Sequence, residues 1–279
     1  MQNVNPVKVA IVDLYNNIPN QGMRSIQEIL TQFGKQLPQG LEFKVYDTRH
    51  KGDIPSLDYD VYVSTGGPGS PYDGHGLAWE SHYFKWVDSL WNYNQNNNNT
   101  QKKHAFFICH SFQMVCRHFE MAQVTKRHST SFGVFPTHKT EAGNAEILFK
   151  NLPDPFHVAD FRDWQAVQPN HKKLEELGAS ILCMEKIRPH VDFERALMAI
   201  RISDEMFATQ FHPEADPVGM SVHFSHPEKE EQIVMEHGKE KYDDMLEHLN
   251  TPDSIPLTHN TILPTFLSEA TRKMQEVLA

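Results

Sequence analysis

Ala105-Phe106-Phe107-Ile108 is an unbroken apolar run that stops at Cys109, and helical spacing takes over at once, with Phe112, Val115, Cys116 and Phe119 on one side. A strand apolar at every position is buried on both faces, which calls for a sheet covered by helices on each side. The same order recurs upstream. Val7 to Asp13 reads as a short buried strand and Gln21 to Phe33 as an amphipathic helix carrying Met23, Ile26, Leu30 and Phe33 along one face. Leu41 to Tyr46 and Tyr59 to Ser64 read as further strands. Glu80 to Tyr93 reads as a helix with Tyr83, Trp86, Val87 and Leu90 on one side, ended by the polar run from Asn94 to Thr100. Strands and helices in alternation predict an α/β fold: a doubly wound, mostly parallel sheet with helices on both faces.

Between Val124 and Gln210 the pattern changes to short strands and turns, among them Ser131 to Phe135, Ile181 to Met184 and Leu197 to Ile202, read as the second half of the sheet and a β-rich edge. Beyond Val222 it becomes charged and helical. Tyr242, Met245, Leu246 and Leu249 form one apolar stripe, and Ile262 to Leu278 another, interrupted by Pro264. The expected division is an α/β domain over 1–222 and a helical C-terminal extension over 223–279, which covers the sheet or docks a partner.

A net charge of −10 gives no basic field for a phosphate backbone, so nucleic acid is not an expected partner. The longest apolar run near the start, Val9 to Val12, ends at Asp13 and is too short for a membrane span or a signal-peptide core, so a cytoplasmic protein with no membrane partner is expected. The three cysteines, Cys109, Cys116 and Cys183, form no CxxC pair, and the seventeen histidines are scattered without an HExxH pattern. No disulfide framework, metal site or cofactor is expected.

Chemistry concentrates in three segments. Cys109 sits on a strand-to-helix turn, where a tight bend exposes sulfur and the helix N-terminus stabilises a thiolate. By position alone, a buried cysteine at a strand-helix junction is more often an inert packing residue. The loop Thr65-Gly66-Gly67-Pro68-Gly69-Ser70-Pro71 follows a strand directly, and ligands of open α/β sheets gather at strand carboxyl ends. Gln210-Phe211-His212-Pro213-Glu214 supplies a histidine beside a carboxylate, the general base that a thiol nucleophile requires.

Together these segments resemble the class I glutamine amidotransferases, the Cys-His-Glu triad family, of which the glutaminase domain of GMP synthase is an example. The family's nucleophile segment, Gly-Ile-Cys-x-Gly-x-Gln, is matched at Ile108, Cys109 and Gln113, with Phe107 and Ser111 in place of glycines. Its Gln-Phe-His-Pro-Glu segment is matched in full by Gln210 to Glu214, and its Gly-Pro-Gly-x-Pro loop by Gly67 to Pro71. The resemblance spans roughly residues 7 to 220 and implies a flavodoxin-like fold. By resemblance, Cys109 attacks the carboxamide carbon of glutamine, the backbone N–H groups of Gly67 and His110 receive the oxyanion, His212 shuttles the proton and Glu214 holds the imidazole. Gly69 and Gln113 help hold glutamine. Where the family usually has Ser-His, this chain reads Arg162-Asp163-Trp164-Gln165, which makes Arg162 and Trp164 its candidates for substrate binding.

Ile108-Cys109-His110 also resembles the PfpI-type peptidases, and γ-glutamyl hydrolases share much of the machinery. An inactive amidotransferase-like binding module is the non-enzymatic alternative. The segment after Val222 has no GxxxxGK[ST] loop and is short for an ATP-using synthase. The implied partners are therefore glutamine or a related amide and a separate ammonia-accepting synthase subunit, or no acceptor where the amide is simply hydrolysed.

Overall fold

A computed structural model describes residues 5–187, 195–225 and 227–278 of the chain. The first half delivers the expected alternation: β1 (Val7–Asp13), α1 (Gln21–Gln36), β2 (Leu41–Asp47), α2 (Thr48–Lys51), β3 (Val61–Ser64), α3 (Ala78–Gln95), β4 (His104–Ile108) and α4 (His110–His118). The second half holds β5 (Ala122–Lys139), α5 (Glu141–Ala145), β6 (Phe156–Pro169), α6 (His171–Leu177), β7 (Ser180–Glu185), β8 (Leu197–Arg201) and β9 (Met206–Thr209). Helices α7 (Pro217–Phe224), α8 (Pro227–His237), α9 (Lys239–Asn250) and α10 (Ile255–Leu278) close the chain.

One mixed sheet runs β2-β1-β3-β4-β9-β8-β7-β5-β6. Pairing is parallel from β2 through to β9 and antiparallel from there to β6. Alternate residues of β1 enter opposite layers, as the two-residue strand period requires. Val9 and Ile11 meet Ile26, Leu30 and Phe33 of α1 together with Ile262, Leu263 and Phe266 of α10. Ala10 and Val12 join Tyr83, Trp86 and Leu90 of α3 and Val115 and Cys116 of α4 on the other face. The sheet is thus covered on both sides, as the apolar strands demand.

The β-rich half is longer-stranded than its sequence pattern suggests. Only Ser131 to Phe135 reads as strand in a β5 that runs from Ala122 to Lys139, and β6 carries no strand signal at all. The first part of β5 is polar and only partly buried, while β6 buries Asp160 and Arg162 in mid-strand, so neither shows clean apolar alternation. Helices α7 and α9 pack Met220, Phe224, Tyr242, Met245 and Leu249 onto Phe132 and Val134 of β5. Among the described residues no helix is long and apolar enough to cross a membrane.

Candidate active site

Cys109 joins β4 to α4 with φ 48° and ψ −95°, a backbone conformation that costs a non-glycine residue about 1–3 kcal/mol and persists only where its surroundings enforce it. The enforcement is visible. The Cys109 N–H donates to the Thr209 carbonyl at 2.7 Å, which ties the elbow to the end of β9, and the Gln113 N–H donates back to the Cys109 carbonyl at 3.0 Å. Ser111, standing where the resemblance has glycine, uses its hydroxyl as a stitch: it accepts from the Ile108 N–H at 2.8 Å and donates to the Ser64 carbonyl at 2.8 Å. Phe107, the other replaced glycine, points into the α3 layer against Trp86, away from the cysteine.

Beyond β9, the His212 N–H donates to the Ala159 carbonyl at 2.9 Å, so strand β6 fixes where the histidine stands. Imidazole Nδ1 lies 2.9 Å from Oε1 of the fully buried Glu214. Burial works to lower the His212 pKa, but the charges of Cys109 and Glu214 and hydrogen bonds to both side chains outweigh it and hold the imidazole well above its ordinary value. Glu214 is itself anchored from two helices: its carbonyl accepts from the Ser25 hydroxyl of α1 and from His259 Nδ1 of α10 at 3.0 Å. Its Oε2 is buried without a hydrogen bond of normal geometry among the described residues. Tyr15 lies beside it, its phenol pushed well up by burial and then by the Glu214 and Cys109 charges.

Around the sulfur, Gln210 Nε2 approaches Cys109 Sγ at 3.6 Å, and the Phe161 carbonyl lies 3.7 Å from it. Gln113 Nε2 donates to Gln210 Oε1 at 3.2 Å and to the Trp164 carbonyl at 3.1 Å, so the nucleophile and histidine segments are hydrogen-bonded to each other. His110 is buried, and burial followed by the charges of Arg49 and Arg117 pushes its imidazole down to about 3; it is a neutral ring at ordinary pH.

The glycine loop comes against this elbow at close range. A Cβ on Gly67 would stand 2.4 Å from the Leu14 carbonyl oxygen, and one on Gly66 would stand 2.9 Å from His212 Cε1, so neither position accepts a side chain. Arg49 of α2 donates to the Pro68 carbonyl at 2.6 Å and reaches Asp73 at 3.3 Å, holding the loop from outside. A cavity of about 320 Å³ opens between loop and elbow, bordered by Gly67, Gly69, Cys109, Gln113, Asp163 and Trp164. A second, of about 230 Å³, lies on the His212 side.

The nine residues singled out in the sequence therefore converge on one place, with a single qualification. Arg162 borders the first cavity with a buried guanidinium that is only partly paired: Nε meets both Asp160 oxygens at 2.9 Å and Nη2 lies 3.5 Å from Glu185, while Nη1 has no hydrogen-bond partner among the described residues. Arg49, Tyr15 and Phe161 escaped the sequence reading as site residues. Arg49 on α2 and Tyr15 on the turn after β1 are remote in sequence from the three motifs, and Phe161 sits on a strand with no strand signature.

No family model matches the chain, and no curated protein matches its sequence. Solved structures do match. A glutamine amidotransferase from Thermotoga maritima superposes with a TM-score of 0.64 at 17% identity, covering 99% of this chain and 100% of that one. A glutamine amido transferase from Methylobacillus flagellatus gives 0.61 at 13% identity, covering 98% and 95%. The CTPS glutaminase domain of Trypanosoma brucei with bound acivicin gives 0.57 at 14%, covering 95% and 94%. At such identities the likeness is one of architecture, and the architecture of this chain is the class I glutamine amidotransferase fold.

Proposed function

We propose that the chain cleaves a glutamine-type carboxamide through a cysteine thioester. The observation that carries this reading is the strained Cys109 elbow facing an imidazole whose Nδ1 is bound to the buried Glu214. In the proposed reaction the Cys109 proton passes first to His212, and the sulfur, as thiolate, then attacks the amide carbon. Backbone N–H groups of Gly67 and His110 hold the oxyanion, and Gly69, Gln113 and Trp164 border the acyl end. The C–N bond then breaks as His212 returns the proton to the leaving nitrogen. Water, deprotonated by His212, hydrolyses the thioester, giving the free acid and the thiol. Arg162 stands in the wall of the acyl-side cavity, with Nε and Nη2 turned to Asp160 and Glu185.

Within this reading residues 1–222 carry the chemistry and 223–279 brace it, since His259 of α10 holds the Glu214 carbonyl. The fold shared with glutamine amidotransferases supports glutaminase-type chemistry in outline. A separate synthase subunit is the proposed acceptor wherever the released nitrogen is used. The test is glutamate release from L-glutamine, or from an N-substituted relative, by wild type and Cys109→Ser. A loss of about 10³-fold or more in the variant is expected. An equal rate in both would remove Cys109 from the reaction.

A further inference from the structure

Two cavities meet at the sulfur of Cys109, and only Gly67, Pro68, Cys109 and Phe161 border both. The one on the His212 side has Ile18, Phe161, Ala215 and Met220 as its apolar part, beside polar members that include Asn20, Gln21, Ser25 and Asp216. Asp216 is already matched, its carboxylate 2.7 Å from Arg24. Ammonia is about the size of a water molecule, which a cavity of about 10–15 Å³ accommodates. A cavity of about 230 Å³ next to the group that protonates the leaving nitrogen is out of proportion to ammonia.

Amide geometry says what would use the space. A secondary amide is planar and trans, so the substituent on nitrogen points away from the acyl chain. With the acyl chain in the cavity bordered by Gln113 and Trp164, that substituent must enter the cavity on the other side of Cys109, with its nitrogen at His212. The mouth is built for an apolar contact. Ile18 is 51% exposed there, on a turn where Asn16 (φ 57°) and Asn17 (φ 60°) are both left-handed, and its N–H donates to the Tyr15 carbonyl at 3.1 Å. Ile18 therefore places a large apolar side chain on the rim of the cavity, where a substituent on the amide nitrogen would meet it.

We infer that the preferred substrate is an N-substituted γ-glutamyl amide, whose compact apolar amine occupies the His212-side cavity. The inference rests on the thioester reading above and names its substrate class. The Cys109 sulfur bonds to the γ-carbonyl carbon, the C–N bond breaks, and His212 protonates the nitrogen, which leaves as a primary amine. Water then cleaves the thioester to glutamate and restores the thiol.

The experiment compares kcat/KM for L-glutamine, γ-L-glutamyl ethylamide and γ-L-glutamyl benzylamide, read as glutamate release, in wild type and Ile18→Trp. At least one substituted amide should exceed glutamine tenfold or more, and Ile18→Trp should lower the substituted-to-glutamine ratio by tenfold or more. Glutamine cleaved as well as or better than both amides would overturn the leaving-group subsite and leave the thioester reading standing. So would an unchanged ratio in Ile18→Trp. If no amide is cleaved, labelling separates the two ideas: Cys109 alkylated by a glutamine-shaped diazoketone overturns the subsite alone, and Cys109 left unlabelled overturns both.

Discussion

At Cys109 the backbone holds a φ of 48°, which glycine adopts without penalty and an L side chain does not. This reverses a familiar preference. In regular structure alanine is more stable than glycine by about 0.5–1 kcal/mol, whereas Cys109→Gly should be more stable than Cys109→Ala by about 1 kcal/mol in urea unfolding, with both variants inactive. A more stable alanine variant would mean that the elbow is unstrained. The residues of the three motifs were legible because each is a local arrangement of side chain and turn: a cysteine after a buried strand, glycines at a strand end, a histidine two residues from a glutamate. Arg49 was not, because its contact with Pro68 depends on α2 and the loop after β3 meeting in space. The burial of Arg162 was equally hidden, since nothing in its neighbours reveals that Asp160 and Glu185 meet its Nε and Nη2.

Among the elements, α10 changes most between sequence and structure. Its apolar stripe was visible, but its place was not: Ile262, Leu263, Phe266 and Leu267 complete the core that α1 and β1 begin, and Phe266 meets Phe106 of β4 edge-on with ring centroids 5.1 Å apart. The helix braces the sheet directly behind the elbow. Phe266→Ala should cost about 3–5 kcal/mol, read from the urea midpoint at unchanged m-value. A cost below about 1 kcal/mol would show the helix to be a loosely held appendage. The β5–β6 pair failed to register for the opposite reason. Its strands are long, and their buried apolar residues, among them Phe132, Val134, Phe156 and Val158, are interrupted by polar ones such as Asp160 and Arg162, so a reading based on hydrophobic period passes over them.

For the molecule as a whole, two buried histidines contribute to the loss of stability on the acid side. Burial, followed by the charges of Lys273, Arg201 and Lys103, lowers His104 to about 4, and burial followed by Arg49 and Arg117 lowers His110 to about 3. Both rings titrate near 6.5 when unfolded. Below that pH the unfolded chain binds protons that the folded chain refuses, so stability falls as pH drops from about 6.5 through these values. His212 has the opposite sign: its raised pKa gives stability that is fully present below about 6.5 and is lost as pH rises through the folded value. It therefore adds no slope in the acid window. His104→Gln should flatten the fall of unfolding free energy between pH 6.5 and 4 relative to wild type, whatever its absolute stability. Parallel curves would show that His104 is not a buried neutral ring.

Site-resolved alkylation asks whether Cys109, supported by His212 and Glu214, is the nucleophile. Burial pushes the thiols of Cys116 and Cys183 up, which leaves both as neutral packing groups at ordinary pH. Treatment of the intact chain with a glutamine-shaped diazoketone, followed by peptide mass mapping, should therefore give one label per chain, on Cys109. An excess of a cleavable γ-glutamyl amide should block it, and His212→Ala should slow it about tenfold or more by removing the thiolate's counter-charge. Label on Cys116 or Cys183 in place of Cys109, or labelling of Cys109 indifferent to both the amide and His212, would contradict the assignment.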